Sequence, residues 1–401
     1  RKVKKSKVVD LGPRVVLDSE RCILCARCTR FTEEVTKTNE LGLFNRGDRT
    51  EIGVVEGKQL DNNYSLNTVD ICPVGALTSK DFRFRQRVWY LKDADTICTG
   101  CSTGCNTKVY FNKEGIFRIK PRYNPDVNGH WMTDTGRDAY KFVNRDARLL
   151  RAKKHTGSGW TELAPGQAAK DISADLKAAA GDSMALVLTA QYTLEEYEAI
   201  IPAFINDFKT KKIYFWINNK ESFDDFDGLL ARGDKNPNTK GLLRVMEKHG
   251  ISAAWADLES GLDSGAIKTV VVAGPENQFV FPDMNEKIKL LSKAKKLVWM
   301  QSGKNDALEA LSGDVTLIPM KSYIEKEGTY VNFKGLEQKV KRVTTVVSEA
   351  LTLTEATMLM VGRNLTIPVA KELFVESNRR EDEVMLEHRK KNEFVFRRGS
   401  L

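Results

Sequence analysis

No cysteine stands beyond Cys105 in this 401-residue chain, and histidine is almost as scarce, confined to His130, His155, His249 and His388. The seven cysteines lie between Cys22 and Cys105. Their number is odd and their placement leaves most of the chain without a thiol to bridge, so they read as ligands in a reducing compartment, not as a disulfide framework. No apolar run reaches the roughly 20 residues of a membrane-spanning helix, and the opening residues lack the pattern of a secretory signal. Direct membrane insertion is not expected. The net charge of +9 is modest for this length. The basic opening, with Arg1, Lys2, Lys4, Lys5 and Lys7, has no interleaved aromatics; it reads as a linker over residues 1–12, and no nucleic-acid partner is expected. A chain starting at Arg1 reads as one whose upstream residues have been removed.

What the chain does have is a dense thiol pattern. Cys22, Cys25 and Cys28 form a Cys-x2-Cys-x2-Cys run, and Cys72 follows with Pro73 directly behind it. A cubane cluster needs four convergent thiolates; a tight loop can present three and a remote segment the last. No cysteine follows Cys28 at short spacing, so Cys72 is the one that completes the set. Zinc held by four cysteines is the competing reading, but it usually uses paired knuckles, and the third cysteine at the same step favours [4Fe–4S]. Ile23, Leu24, Ile71, Val74 and Ala76 can exclude water around it. Arg21, Arg27 and Arg30 either stabilise the reduced cluster by charge or form an ordinary solvated face.

A second group, Cys98, Cys101 and Cys105, precedes an expected hairpin in which residues 108–111 and 116–119 flank a turn at 112–115. From about residue 155 the pattern changes. Residues 184–188, 212–216, 269–273 and 297–300 read as buried strands, and 194–208 and 284–294 as helices between them, which implies a parallel α/β sheet. Gly274-Pro275 is either the carboxyl-edge turn where ligands bind in such sheets or simply a strand-ending turn. The segment after about residue 368 is highly charged and reads as an exposed helix or tail that contacts another subunit or water.

Several segments together resemble the large iron–sulfur subunit of NADH:quinone oxidoreductase, respiratory complex I: residues 21–31 around the cysteine run, Asn45-Arg-Gly47, residues 71–78, Arg87-Val-Trp89, Gly129-His-Trp131 with Asp134, Gly136 and Arg137, and residues 327–332. The resemblance implies a [4Fe–4S] cluster on Cys22, Cys25, Cys28 and Cys72. In many bacterial members it implies a second cluster, lying off the main electron path, on positions matching Cys98, Cys101, Cys105 and a fourth cysteine; that position falls near Thr133 here, with Asp134 the nearest hard donor, so the second cluster is in doubt. It also implies a preceding [2Fe–2S] domain and a histidine–cysteine cluster motif, neither of which these residues contain.

The expected architecture is therefore α+β and α/β. A ferredoxin-like [4Fe–4S] domain over 13–92 is followed by a small β-rich cluster-type module over 93–150, lacking its fourth ligand. A shortened molybdopterin-oxidoreductase-like scaffold over 151–345 comes next, then a charged segment over 346–401. No molybdopterin is expected, since no thiol ligand follows Cys105 and the region is short. The resemblance implies single-electron transfer from an NADH/flavin subunit towards quinone-side subunits, on the cytoplasmic face of a bacterial inner membrane or the mitochondrial matrix side. No catalytic residue is assigned. A diaphorase-type subunit of a soluble hydrogenase or formate dehydrogenase, a catalytic molybdopterin oxidoreductase and a zinc-binding scaffold are the alternatives.

Overall fold

The computed structural model describes residues 4–157 and 159–365. The charged segment after residue 368 lies outside the described residues. In the first unit, β1 (Val9–Asp10) and β2 (Val15–Leu17) pair antiparallel; β3 (Leu41–Phe44) and β4 (Glu51–Val54) form a hairpin; β5 (Leu77–Ser79) returns to β2. Leu11, Val15, Leu17, Ile52, Leu60 and Leu77 fill its core, against which Cys22, Cys28 and Cys72 pack. The expected linker is thus shorter than residues 1–12: Leu11 is almost wholly buried and β1 is already part of the sheet.

The second unit is an antiparallel meander of β6 (Lys92–Ile97), β7 (Asn106–Asn112) and β8 (Gly115–Pro121). The expected hairpin is there, two residues tighter at its turn. Its core does not close on itself. Ile97, Val109, Ile116 and Ile119 pack with Phe142 and Val143 and with Tyr323, Ile324, Tyr330 and Val346 from far along the chain.

The third unit is a seven-stranded sheet: β9 (Ala152–Thr156), β10 (Gly159–Leu163), β11 (Met184–Leu188), β12 (Ile213–Phe215), β13 (Thr269–Ala273), β14 (Lys296–Gln301) and β15 (Asp314–Pro319), in the order β10-β9-β15-β14-β13-β11-β12. The five strands from β15 to β12 are parallel, and β9 and β10 add an antiparallel edge that the apolar-run reading missed. Those two strands carry Lys153, Lys154, His155 and Glu162, so they lack the continuous apolar signature of strands buried on both faces. The central strands have it. In β11, Met184, Leu186 and Leu188 enter one core while Ala185 and Val187 enter the other; in β13, Val271 and Ala273 split from Val270 and Val272 in the same way. Strand alternation feeds two apolar layers only because helices cover both faces.

The helix Leu353–Met360 belongs to one of those layers, packing on the helices Pro165–Ala178 and Leu194–Asn206. The expected boundary at residue 345 is therefore too early. Leu351, Leu353, Ala356, Leu359 and Met360 are fully buried, and it is this apolar stripe that draws the helix into the core. A last hairpin, β16 (Gly328–Val331) with β17 (Glu337–Val340), packs through β16 on the helices Leu194–Asn206 and Thr239–Lys248 and through β17 on β6 of the second unit.

Candidate metal centres

At the first centre, Cys22, Cys25, Cys28 and Cys72 line one open pocket whose other walls are Leu17, Ile23, Ala26, Arg27, Ile52, Pro73, Val74, Ala76 and Leu77, apolar except for Arg27. The loop achieves this convergence through unusual backbone. Leu24 and Ala26 both have φ of 57°, the left-handed region that non-glycine residues rarely occupy. Such a conformation costs on the order of 1–3 kcal/mol and persists where the surroundings impose it. It turns the Leu24 amide back to donate to Cys22 Sγ at 3.4 Å. The short helix Arg27–Arg30 then carries Cys28.

Cys72 arrives differently. It terminates the helix Asn67–Ile71 with ψ of 110°, because the Pro73 ring disfavours helical backbone at the residue before it. The proline thus ends the helix where the thiol must leave it. Burial, reinforced by the neighbouring thiols of Cys22 and Cys25, pushes the Cys28 thiol up to about 11. Ligation therefore has to supply the positive charge that removes its proton. Among the described residues no group of three or more His, Cys, Asp or Glu side chains is drawn in closely enough to hold a single metal ion. The four thiols instead rim a pocket with apolar walls, and this donor set and its setting fit a polynuclear iron–sulfur cluster.

Arg27 and Arg30 line an adjoining groove of about 830 Å³ with Phe31, Asp70, Ile71, Pro73 and Trp131. Trp131 packs on Phe31 with ring centroids 4.9 Å apart, so the Gly129-His-Trp131 segment sits beside the first centre. Arg21 is tied to Asp18.

The second group is brought together too, but in a different setting. Cys98, Cys101 and Cys105 are all buried, and the Gly100 amide donates to Cys98 Sγ at 3.4 Å, repeating the arrangement at Cys22. Burial pushes the Cys98 thiol up to about 12, with Cys101 adding to it, and raises Cys105 well above its ordinary value, with Cys98 and Cys101 adding to it. Gly136 packs against this group: a Cβ built there would lie 2.9 Å from both Cys98 Sγ and Thr133 Oγ1. Thr133 is thus at the site. Its hydroxyl is already engaged, accepting from the Gly136 amide at 3.0 Å as the cap of the helix Asp134–Arg137.

Asp134, the other residue considered, is turned to the first unit. Its carboxylate accepts from Ser65 Oγ at 2.6 Å and from the Leu66 amide at 3.1 Å. Burial raises its pKa and those bonds with Arg137 work against the rise. The three thiols therefore have no fourth thiolate beside them, the Thr133 hydroxyl is engaged as a helix cap and the Asp134 carboxylate is spent on the first unit. The residues present do not complete a four-cysteine cluster site here.

Sequence reasoning missed the contacts that lock the centres together. Asn67, on the helix that delivers Cys72, donates to Met132 O at 2.8 Å and accepts from the Met132 amide at 3.2 Å. Arg137 binds Asp70 at 2.6 Å. The second loop is held from the far end of the chain: Ser102 N donates to Asp234 O, Phe333 N donates to Ser102 O, and Gln338 Nε2 donates to Gly104 O, at 2.9–3.0 Å. The 327–332 segment is thus largely β16, the strand leading into that hold. Periodicity could not have shown this, since each contact depends on residues more than 60 positions apart.

Two family models match the part of the chain that holds the seven cysteines. Residues 12–78 match the family described as NADH-quinone oxidoreductase subunit 3, ferredoxin-like domain, and residues 91–141 match NADH-ubiquinone oxidoreductase NDSU1/NuoG-like, 4Fe-4S domain. The chain is 41% identical over 143 residues to the mitochondrial NADH dehydrogenase [ubiquinone] iron-sulfur protein 1 of Solanum tuberosum, covering 35% of this chain and 19% of that one. To NADH-quinone oxidoreductase subunit 3 of Thermus thermophilus it is 36% identical over 186 residues, 46% and 24%. To the NADH-ubiquinone oxidoreductase 75 kDa subunit of Acanthamoeba castellanii it is 39% identical over 155 residues, 38% and 23%. The matched part thus spans less than a quarter of these relatives' length. Acetylene hydratase from Pelobacter acetylenicus aligns with 67% of this chain and 69% of its own at 9% identity and a TM-score of 0.42. In its two cysteine-bearing units the chain is similar to the large iron–sulfur subunits of NADH-quinone oxidoreductase.

Proposed function

We propose that this chain relays single electrons inside an NADH:quinone oxidoreductase, from the NADH/flavin side towards quinone, through one [4Fe–4S] cluster on Cys22, Cys25, Cys28 and Cys72. The observation that carries the reading is the convergence of these four thiols, from two segments, on one pocket with apolar walls. A bound cluster would supply a one-electron couple whose potential responds to burial, charge and hydrogen bonds to sulfur. The chain's own contribution is the rest. Leu17, Ile52, Ala76 and Leu77 keep water from the thiolates on the inner side, Leu24 N–H stabilises the charge on Cys22 Sγ, and Arg27 lines the pocket with Arg30 in the groove beside it, where positive charge favours the more negative, reduced state. The fold presents the mouth of the pocket at the surface, with Ile23 and Val74 exposed, which suits exchange of electrons with another subunit.

The α/β unit serves in this reading as a shortened molybdopterin-oxidoreductase-like scaffold without the cofactor. The turn at Gly274-Pro275 supports that role: Gly274 O accepts from Tyr192 Oη at 2.8 Å, and a Cβ at Gly274 would lie 2.5 Å from Trp299 Nε1, so the chain's own side chains fill the edge. The flavin-bearing and quinone-side subunits of the same enzyme are the partners, and the peripheral face of the coupling membrane is the place.

The test is Cys72→Ala in anaerobically purified protein. Its segment holds no spare thiol, so iron, sulfide and the reduced-state EPR signal should fall together. Unchanged iron content and spectrum would defeat the assignment. The same metal analysis on the wild-type chain, if it found stoichiometric zinc, molybdenum or tungsten in place of iron, would favour the zinc or molybdopterin alternatives.

A further inference from the structure

At the carboxyl edge of the parallel sheet, five charged side chains are enclosed together. Arg148 and Lys326 face Glu196, Glu276 and Glu325, each at most 3% exposed. The sum of ionised charges would be −1, in a place where an uncompensated charge is expensive. Counting donors shows which carboxyl is least supported as an anion. Glu325 accepts from Arg148 Nη1, the Ser322 amide and hydroxyl, and the amides of Val346 and Val347. Glu196 accepts from the Thr193 amide as part of a helix capping box, from Lys326 Nζ at 2.6 Å and from the Leu353 amide. Glu276 has Lys326 Nζ on Oε1 and no partner on Oε2. Tyr330 Oη, in the same enclosure, is likewise buried and without a partner.

We propose that Glu276, Glu196 and Lys326 form a binding site for one proton, held on Glu276, and that this proton secures the 322–333 segment against the sheet and thereby its grip on the second cysteine loop. The coupling is physical: Glu325 and Lys326 are consecutive on that segment and anchor it in opposite directions, to Arg148 and to Glu196 with Glu276. The same segment ends at Asn332 and Phe333, which contact Thr103 O and Ser102 O. With Glu276 neutral, the enclosure holds two cations and two anions. With Glu276 ionised, the excess negative charge faces Glu196 across Lys326, and the groups around it, Tyr192, Tyr197, Tyr323 and Tyr330, are neutral and offer no further compensation. Burial, with Glu196 adding to it and Lys326 opposing, raises the Glu276 carboxyl to about 7.

The sign of the linkage follows. A carboxyl whose pKa is higher folded than unfolded stabilises the fold below its unfolded value of about 4.5, and that contribution is lost as pH rises through about 7. Glu276→Gln keeps the shape and the neutral charge at every pH. Relative to this variant, the anaerobically purified full chain with its iron should lose roughly a hundredfold in the unfolding equilibrium between pH 5 and pH 8. Hydrogen exchange over residues 322–333 and 98–105, corrected for intrinsic rates, should accelerate over the same range in the wild type and not in the variant. Infrared difference spectra on the wild type should show a protonated carboxyl C=O band at pH 6 that Glu276→Gln removes. Parallel pH profiles for the two proteins, or the absence of that band, would overturn the proposal. Exchange that accelerates only in 322–333 would overturn its extension to the cysteine loop.

Discussion

Thr133→Cys tests what the second centre lacks. The threonine is buried, its hydroxyl caps the helix Asp134–Arg137, and it shares the space around the missing Gly136 Cβ with Cys98 Sγ. Replacing it removes a cap worth about 0.5–2 kcal/mol, partly restored because a thiol is a weak acceptor. For a folding unit of this size that is a loss of about 2–4 °C per kcal/mol in the metal-free protein. Against it stands a fourth thiol beside three others, of which burial favours the neutral form at Cys98 and Cys105. If a missing thiolate is the only defect, reconstitution with iron and sulfide should raise the content from about four to about eight iron atoms per chain, the addition of one cubane, and a second EPR signal should appear on reduction. The assay is iron and acid-labile sulfide per chain beside thermal unfolding of the unreconstituted protein. Should the variant lose the expected stability while iron stays near its wild-type value, the reasoning fails, because the packing around Gly136 would then exclude the cluster whatever the ligand.

Arg148→Met should destabilise the chain by about 3–5 kcal/mol, since it strands Glu325 in the core without its cation, and Arg148→Met with Glu325→Gln should recover part of the loss in chemical denaturation. Glu325 is held below its ordinary range by Arg148 and by backbone amides, against the opposing effect of burial; its contribution is thus present above pH 4.5 and lost as pH falls, opposite in sign to that of Glu276, so acid titration of the wild type should unfold it more steeply than the double variant. Finally, the isolated chain should not oxidise NADH; steady turnover on the order of ten per second by the purified chain alone would refute the relay reading.

The grouping of Cys22, Cys25, Cys28 and Cys72 was legible because its determinants are local. Two-residue spacers and a Cys-Pro pair constrain a few backbone angles, and the positive φ at Leu24 and Ala26 and the extended Cys72 before Pro73 are what that spacing required. The central strands were legible for a similar reason: runs such as Met184–Leu188 and Thr269–Ala273 are apolar at nearly every position, which only a strand buried on both faces tolerates. The antiparallel strands β9 and β10 carry charge, and the helix Leu353–Met360 was absorbed into a region read by its charge instead of its apolar stripe.

By itself the sequence singled out Cys22, Cys25, Cys28 and Cys72 as one set, which the fold brings to one pocket, and the parallel strands further along the chain, since both readings follow from short-range spacing and periodicity. Only the tertiary structure decided that Thr133 lies at the second cysteine group while Asp134 is spent on Ser65 and Leu66, and that Glu196, Glu276 and Lys326 share one buried enclosure. Neighbouring residues on a helix turn point in different directions, and charges 50 or 130 positions apart meet only when strands and helices close over them. Which side chain faces which is set by packing, and packing is a property of the whole fold.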